Sequence, residues 1–440
     1  MSFKNYDGIV IPIKNIMTLT QQTIVNNIDK DEMELYKQEP ALESLFRAVE
    51  KGDLQKVKSL LNAGVKINTE YDYGMMLIHV AAENNATIDI LKYLVSQGAD
   101  INAKSDGGKT PLHYAARFNA NVDILKYLIS QGADINAKID YGETPLHSAA
   151  FNNVNVDIVK YLVSQGADVN AKDIYGATTF HYAAWNNANV DILKYLVSQG
   201  ADVNAKDIYG ATPLLFATSN NTTVDIVKYL VSQGVDINVK FNKGETPLHD
   251  AAKNNANVDI VKYLVSQGAD VNAKTKDGGT LLHSAVKNNV TTDIVEYLVS
   301  QAANVNAKTD FGKTPLHHAA RYNVNVDVLK YLISQGADVN AKTDYDKTPL
   351  HHAARYNVNV DIVKYLVSQG ADVNAKDIYN AVPLHDAAGY NVNVDIVKYL
   401  VSQGADVNAK DKNGGTPLTY GTLNPNTEIR DFFISLGDKN

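Results

Sequence analysis

Cysteine is absent from the 440-residue chain. That excludes disulfides, thiolate metal sites and cysteine nucleophiles, and permits a reducing compartment. Apolar runs are short: none approaches the ~18 residues that a membrane-crossing helix needs. The run from Gly8 to Ile13 is interrupted by Pro12 and Lys14. No small-residue cleavage site follows a long apolar region, so the run does not read as a secretory signal. Excess basic charge is lacking too. The net charge is -8 and the pI ≈ 5.8, which leaves no footprint for nucleic acid or anionic lipid. What is present is an apolar fraction of 45% with 20% charged residues, a balance that suits a folded, soluble chain and argues against wholesale disorder. The length would hold two or three globular domains, or one array that grows in a single dimension.

A repeat decides between these. His79, His113, His147, His181, His249, His283, His317, His351 and His385 share one register, and consecutive members such as His113 and His147 stand 34 positions apart. Leu215 and Thr419 fill the same register without a histidine. Each unit reads as two short helices, A and B, and a turn. In Thr110-Pro111-Leu112-His113, Pro111 suits the first turn of helix A, where a missing N–H costs nothing. Ala115 and Ala116 allow close approach of neighbouring helices. Asn119 is expected to end helix A in a left-handed conformation. Asn121 is the expected N-cap of helix B, with Asp123 near its positive end. Ile124, Leu125, Leu128 and Ile129 then follow the helical period toward the core, and Gly132 closes the helix. The capping column runs Asp53, Thr87, Asn121, Asn155, Asn189, Thr223, Asn257, Thr291, Asn325, Asn359, Asn393 and Asn426. The closing glycine recurs from Gly64 to Gly437, and only Ala302 departs from it.

Thr-Pro-Leu-His, the Ala-Ala that follows it, and Gly-Ala-Asp-Val-Asn-Ala from Gly166 to Ala171 resemble the ankyrin-repeat family. The resemblance covers about residues 40–437. It implies an all-α solenoid of about twelve helix pairs, each followed by a short β-hairpin finger. Such a chain is a curved, elongated rod; at roughly 10 Å per layer it would be on the order of 120 Å long. The turn between helices is one residue longer than the common 33-residue pattern, except in the first and last units. Those units, at about 40–74 and 411–437, read as caps, because an array end must face water. Residues 1–39 read as an N-terminal extension, with a packing helix over 19–37, a flexible tail and a docking peptide all open. The unit at Thr280 reads as a soft joint: Leu281 replaces the helix-starting proline, Val286 an alanine and Ala302 the closing glycine.

Several motifs invite a chemical reading and fail it. Gly107-Gly108-Lys109-Thr110 imitates the end of a phosphate loop, but the glycine needed five positions before Gly108 is Ala103. Gly312-Lys313-Thr314 fails in the same way at Ala307. Catalysis needs one special constellation, whereas the histidine occupies the same place in nearly every unit. In the family that histidine ties adjacent fingers together. No catalytic, cofactor or metal residue is therefore expected. The family's finger asparagine, Asn170 and its equivalents here, can be hydroxylated; a hydrogen bond pinning the finger accounts for it without that.

Twenty-five tyrosines need sorting. Those in the helix B column, from Tyr93 to Tyr399, are expected to stack ring on ring between units. The lysines beside them, such as Lys126, Lys160 and Lys194, should pair with the Asp three residues before. Finger tips carry Tyr73, Tyr141, Tyr175, Tyr209, Tyr345 and Tyr379, with Phe311 in the same column. Helix A carries Phe151 and Trp185, then Arg321-Tyr322 and Arg355-Tyr356, then Tyr390, with His318 and His352 alongside. In the family these two surfaces line a concave groove where partners dock, and aromatics and arginine dominate interface energetics. The expectation is a non-enzymatic module binding a protein partner through Tyr141, Phe151, Tyr175, Trp185, Tyr209, Phe311, Arg321, Tyr322, Tyr345, Arg355, Tyr356, Tyr379 and Tyr390. It would be a cytoplasmic monomer without cofactor, nucleic acid or membrane insertion. A passive spacer or spring is the alternative. The asparagine- and tyrosine-rich wording resembles ankyrin proteins of microbes with AT-rich genomes, some of which deliver such proteins into host cells.

Overall fold

A computed structural model describes residues 41–437 apart from 85–87, 119–120, 153–154, 187–188, 221–222, 255–257, 288–291 and 323–324. The extension at 1–39 lies outside the described residues, as do Thr87, Asn119, Asn257 and Thr291. Helices alternate in pairs along the whole described chain, from 41–50 to Thr427–Gly437. A typical pair is Pro349–Tyr356 followed by Val360–Ser368. Each helix packs on its partner within the pair and on its counterparts in the adjacent pairs. Contact is denser along helices A than along helices B, because Ala353, Ala354 and their equivalents are fully buried and hold the A backbones close. The result is one ribbon of core running from Leu45 to Phe433. This is an all-α repeat stack. Its fingers are tight turns closed at four places by single antiparallel bridges, such as Lys172 to Thr178, and no strand forms among the described residues. Among those residues, too, no helix is long and apolar enough to cross a membrane.

Local chemistry explains the elements. Asn121, Asn155, Asn189, Asn325, Asn359 and Asn393 each accept the N–H two residues on and so cap helix B. Asn426 caps its helix in the same manner and Asp53 accepts the N–H three residues on, from Lys56, whereas Thr223 makes no side-chain cap bond. The closing glycines are left-handed from Gly64 to Gly404, but Gly437 belongs to the last helix and is not. Asn357 and Asn391, the described equivalents of Asn119, are extended at φ -87 and -85. The expected left-handed end does not form there, because these side chains are drawn across the unit boundary. Asn357 Nδ2 donates to the Ala320 carbonyl at 3.0 Å, and Asn391 Nδ2 to the carbonyls of Ala354 and Asn357 at 2.8 and 2.9 Å.

The histidine column is a second inter-unit tie. In the Thr110 unit the backbone N–H of Thr110 donates to His113 Nδ1, so Nε2 carries the proton and donates to the Glu143 carbonyl in the next finger at 3.3 Å. His181, His283, His317, His351 and His385 repeat this link, whereas His79 Nε2 bonds the Ala103 carbonyl. His147 and His249 keep the Nδ1 bond, but their Nε2 atoms lack a partner. Where Leu215 replaces the histidine, the Thr212 hydroxyl is left buried without a partner. Thr419 substitutes with its own hydroxyl, which accepts the Thr416 N–H. Finger asparagines add a third tie: Asn170 accepts the Asp202 N–H and donates to the Gly200 carbonyl.

The helix B tyrosines differ from expectation. Among the described residues no ring-to-ring contact joins them; each packs over the aliphatic core instead. The B helices of adjacent units are too loosely apposed for rings to meet. Lysine–aspartate pairs do form on this face, as in Lys126–Asp123 at 2.9 Å and Lys194–Asp191 at 2.9 Å.

At the Thr280 unit helix A shortens to Leu281–Ala285, and Ala302 sits at φ 64. A left-handed alanine costs on the order of 1 kcal/mol. Ala302→Gly should therefore raise stability by a few tenths to about 1 kcal/mol in urea titration. Hydrogen exchange should be faster over residues 280–305 than in the flanking units. Uniform protection across 240–340 would count against a soft joint.

Candidate partner-binding face

Helix A carries three columns of varied chemistry: the residue after the histidine, which is buried or half-buried, and the last two of the helix. The first is Tyr114, Ser148, Tyr182, Phe216, Asp250, Ser284, His318, His352, Asp386 and Tyr420. Only the comparison of columns across units brings out its importance, since single-unit reading singles out the later two.

In the first half of the array this face is an aromatic cluster. Trp185 is half-buried among Phe151, Tyr182 and Phe216, at centroid distances of 5.1, 6.3 and 6.0 Å. The Arg117 guanidinium lies 5.3 Å from the Phe151 ring. Phe151 and Trp185 are thus brought together, with Tyr182 and Phe216 completing the patch. The Tyr182 hydroxyl lies 3.0 Å from Glu143 Oε1 and 2.8 Å from Asp173 Oδ2. Burial, helped by the charge of Asp173, raises the pKa of Glu143 against the lowering effect of the Tyr182 hydrogen bond.

In the second half it is an arginine–tyrosine stack. The Arg321 guanidinium sits 3.9 Å from the Tyr356 ring and 4.7 Å from Tyr322, and Arg355 sits 3.5 Å from Tyr390 and 5.3 Å from Tyr356. The chain order Tyr322, Arg321, Tyr356, Arg355, Tyr390 becomes one continuous run of alternating planes. Tyr322, Tyr356 and Tyr390 remain exposed. Arg355, expected to be a free surface side chain, is also an ion-pair partner: its Nη1 donates to Asp386 Oδ1 at 3.0 Å, and Lys347 Nζ lies 2.7 Å from Asp386 Oδ2. Asp386 is 3% exposed. Removing Arg355 would disturb a largely buried pair, so it serves structure as well as surface. Neither Lys347 nor Asp386 was signalled by motif, because their partner lies about one repeat away.

The finger tips form a separate row. Tyr141, Tyr175, Tyr209, Phe311, Tyr345 and Tyr379 are all exposed, Tyr209 by 56% and Tyr345 by 51%. No ring contact joins one tip to another among the described residues. The tips are aligned instead by backbone bonds, as from Ile174 N–H to the Tyr141 carbonyl at 2.9 Å and from Ile378 N–H to the Tyr345 carbonyl at 3.1 Å. Lysines and arginines between the two rows give the second half a cationic character. Lys313 is half-buried and Lys287 exposed, and desolvation lowers the pKa of both.

Family models described as ankyrin repeats match this chain at residues 45–139, 138–207, 180–275, 256–343 and 282–377 in a three-copy form, and at 366–420 in a many-copy form. The chain belongs to the ankyrin-repeat family. A comparison with curated proteins returned no match. Ankyrin repeats are protein–protein interaction modules and in general are not enzymes. The face just described is therefore the surface to examine for a partner. Among the described residues, no group of three or more histidine, aspartate or glutamate side chains could hold a metal ion.

Proposed function

We propose that this ankyrin-repeat chain is a non-catalytic binding module that presents a concave aromatic and basic groove to a protein partner, acting as a monomer inside a cell. The observation that carries this reading is the stacked run Arg321–Tyr356–Arg355–Tyr390, whose rings stay exposed, as do the finger tips Phe311, Tyr345 and Tyr379. Rigid aromatics and arginine contribute most where interfaces gain affinity. Core packing does not require exposed rings at a finger tip. Tyr141, Tyr175, Tyr209, Phe151 and Trp185 extend the proposed surface into the first half of the array. A microbial protein acting on host or cellular partners is compatible with its composition.

Affinity capture with the full chain, followed by titration calorimetry, tests the reading. Arg321→Ala combined with Tyr356→Ala should weaken the captured partner at least about tenfold, or about 1.4 kcal/mol, with the helical signal nearly unchanged. Unchanged affinity would move the site to the Phe151–Trp185 patch or the tips. Failure of the wild-type chain to capture any saturable partner would favour a passive spacer.

A further inference from the structure

The helices Pro315–Tyr322 and Pro349–Tyr356 have the same sequence, Pro-Leu-His-His-Ala-Ala-Arg-Tyr. Each is followed one unit on by different chemistry. Lys347 in the finger and Arg355 on the helix converge on the carboxylate of Asp386, with Asp377 Oδ2 a further 3.6 Å from Lys347 Nζ. Moved back by one repeat, Lys347 becomes Lys313 and Arg355 becomes Arg321. The two acids do not follow: Asp377 becomes Thr343 and Asp386 becomes His352. The chain thus builds the same cationic fork twice and supplies its carboxylate once. Among the described residues neither Lys313 nor Arg321 makes an ion pair.

His352 marks the place of the missing acid. It is 6% exposed, and neither ring nitrogen has a hydrogen-bond partner. Its strongest charged or titratable neighbours are all bases: His317, Lys313, Lys347 and Arg321. His318, one unit before, also has a buried Nδ1 without a partner, and its neighbours are His283, Lys287, Lys313 and His352. Leaving a buried polar atom unsatisfied is costly, and neighbouring cations repel one another. An anion at the fork would relieve the repulsion. Burial and these bases hold both imidazoles neutral, so each can still donate one N–H.

We propose that the fork of Lys313 and Arg321, with His352 at its floor, receives an aspartate or glutamate carboxylate from an acidic segment of a protein partner. This rests on the protein-binding reading above and names the chemistry that the groove selects. The guanidinium is already held in place by the Tyr356 ring at 3.9 Å, so little side-chain freedom remains to be lost on binding. The occupant is a carboxylate because Asp386 shows that the same fork accommodates one. It is assigned to a partner because, among the described residues, no acid pairs with the first fork; Asp277 acts on Lys313 only from beyond ion-pair distance.

The test uses the full-length protein and a fluorescein-labelled oligo-aspartate peptide, followed by anisotropy at about 0.15 M salt, where exposed charges are largely screened. Saturable binding is expected. His352→Asp copies the Asp386 arrangement into the first fork, so it should weaken the peptide at least about tenfold while keeping or raising the melting temperature. Arg321→Ala should weaken it to a similar degree and carries the test should His352→Asp not fold. Lys126→Ala, on the helix B face, removes an equal charge and should leave binding unchanged. Equal binding by wild type and both fork variants would overturn the proposal, as would an equal loss in Lys126→Ala. Displacement of the peptide by inorganic phosphate but not by acetate at the same concentration would overturn the choice of a carboxylate. A native partner still captured by a chain whose fork fails this test would leave the binding module standing and remove only this site.

Discussion

Lowering the pH from 7.5 to 5.0 should drop the melting temperature by at least about 10 °C. Burial pushes His113, His147, His283 and His317 down to about 4, against about 6.5 for an unfolded histidine. A base with a depressed folded pKa contributes stability that is fully present above the unfolded value. That stability is lost as the pH falls from about 6.5 toward 4, because the unfolded chain takes up protons that the folded one refuses. At pH 5 the difference is about 2 kcal/mol for each of the four, or about 8 kcal/mol together. Spread over some 400 residues at about 2.1 cal/mol/K each, that is about 10 °C. Asp250 acts in the opposite sense: burial raises it to about 6, so its protonation in the same window returns about 1 kcal/mol, too little to cancel the histidines. Asp277 and Asp411, lowered by hydrogen bonds from Thr275 and Tyr420, lose their contribution only below the ordinary carboxylate range. Circular dichroism melts at the two pH values decide the matter. Equal melting temperatures, or histidine carbon resonances titrating near 6.5 in the folded chain, would contradict the burial argument.

Asn391→Ala should cost about 3 kcal/mol. Asn391 is 2% exposed. Its Nδ2 serves two carbonyls of the preceding unit, and its Oδ1 accepts the Asn393 N–H at 2.8 Å. Three hydrogen bonds at about 1 kcal/mol each are lost, and the groups left behind are screened from water. Asn424 takes the same place in the last unit, donating to the carbonyls of Ala388 and Asn391. The ladder thus joins successive helix A ends, so its loss should uncouple units rather than disturb one helix. Asn170→Ala removes two side-chain hydrogen bonds, from an exposed finger where water can replace them. It should cost only about 1 kcal/mol. Urea titration of the two variants provides the comparison; equal losses would show that burial does not set the value of these bonds.

Much of the fold was legible in the residue order because it obeys local rules. Pro111 at a helix start, Asn121 at a cap, Gly132 at a left-handed end and Ala115-Ala116 at a close contact each act within a few residues. Their 34-residue recurrence then dictates stacking, since no unit can bury its apolar face alone. Even Ala302, the one departure from glycine, kept the left-handed conformation that its column demands. Local rules were insufficient where a side chain leaves its own unit. Asn357 and Asn391 looked like helix ends and proved to be bridges, and the helix B tyrosines looked like a ring ladder and packed on aliphatic side chains instead.

The two copies of Pro-Leu-His-His-Ala-Ala-Arg-Tyr show most directly where sequence stops and tertiary structure begins. The residue order alone determined that Arg321 and Arg355 occupy equivalent positions on equivalent helices. Their own helices do not distinguish them, because the eight residues are identical. The stacking of the next unit made the difference by bringing Asp386 to 3.0 Å from Arg355 across 31 residues of chain, while His352 stands at the matching place beside Arg321. Charge interactions act through space over a few ångströms, so the role of each arginine was set by what the neighbouring unit carried to it.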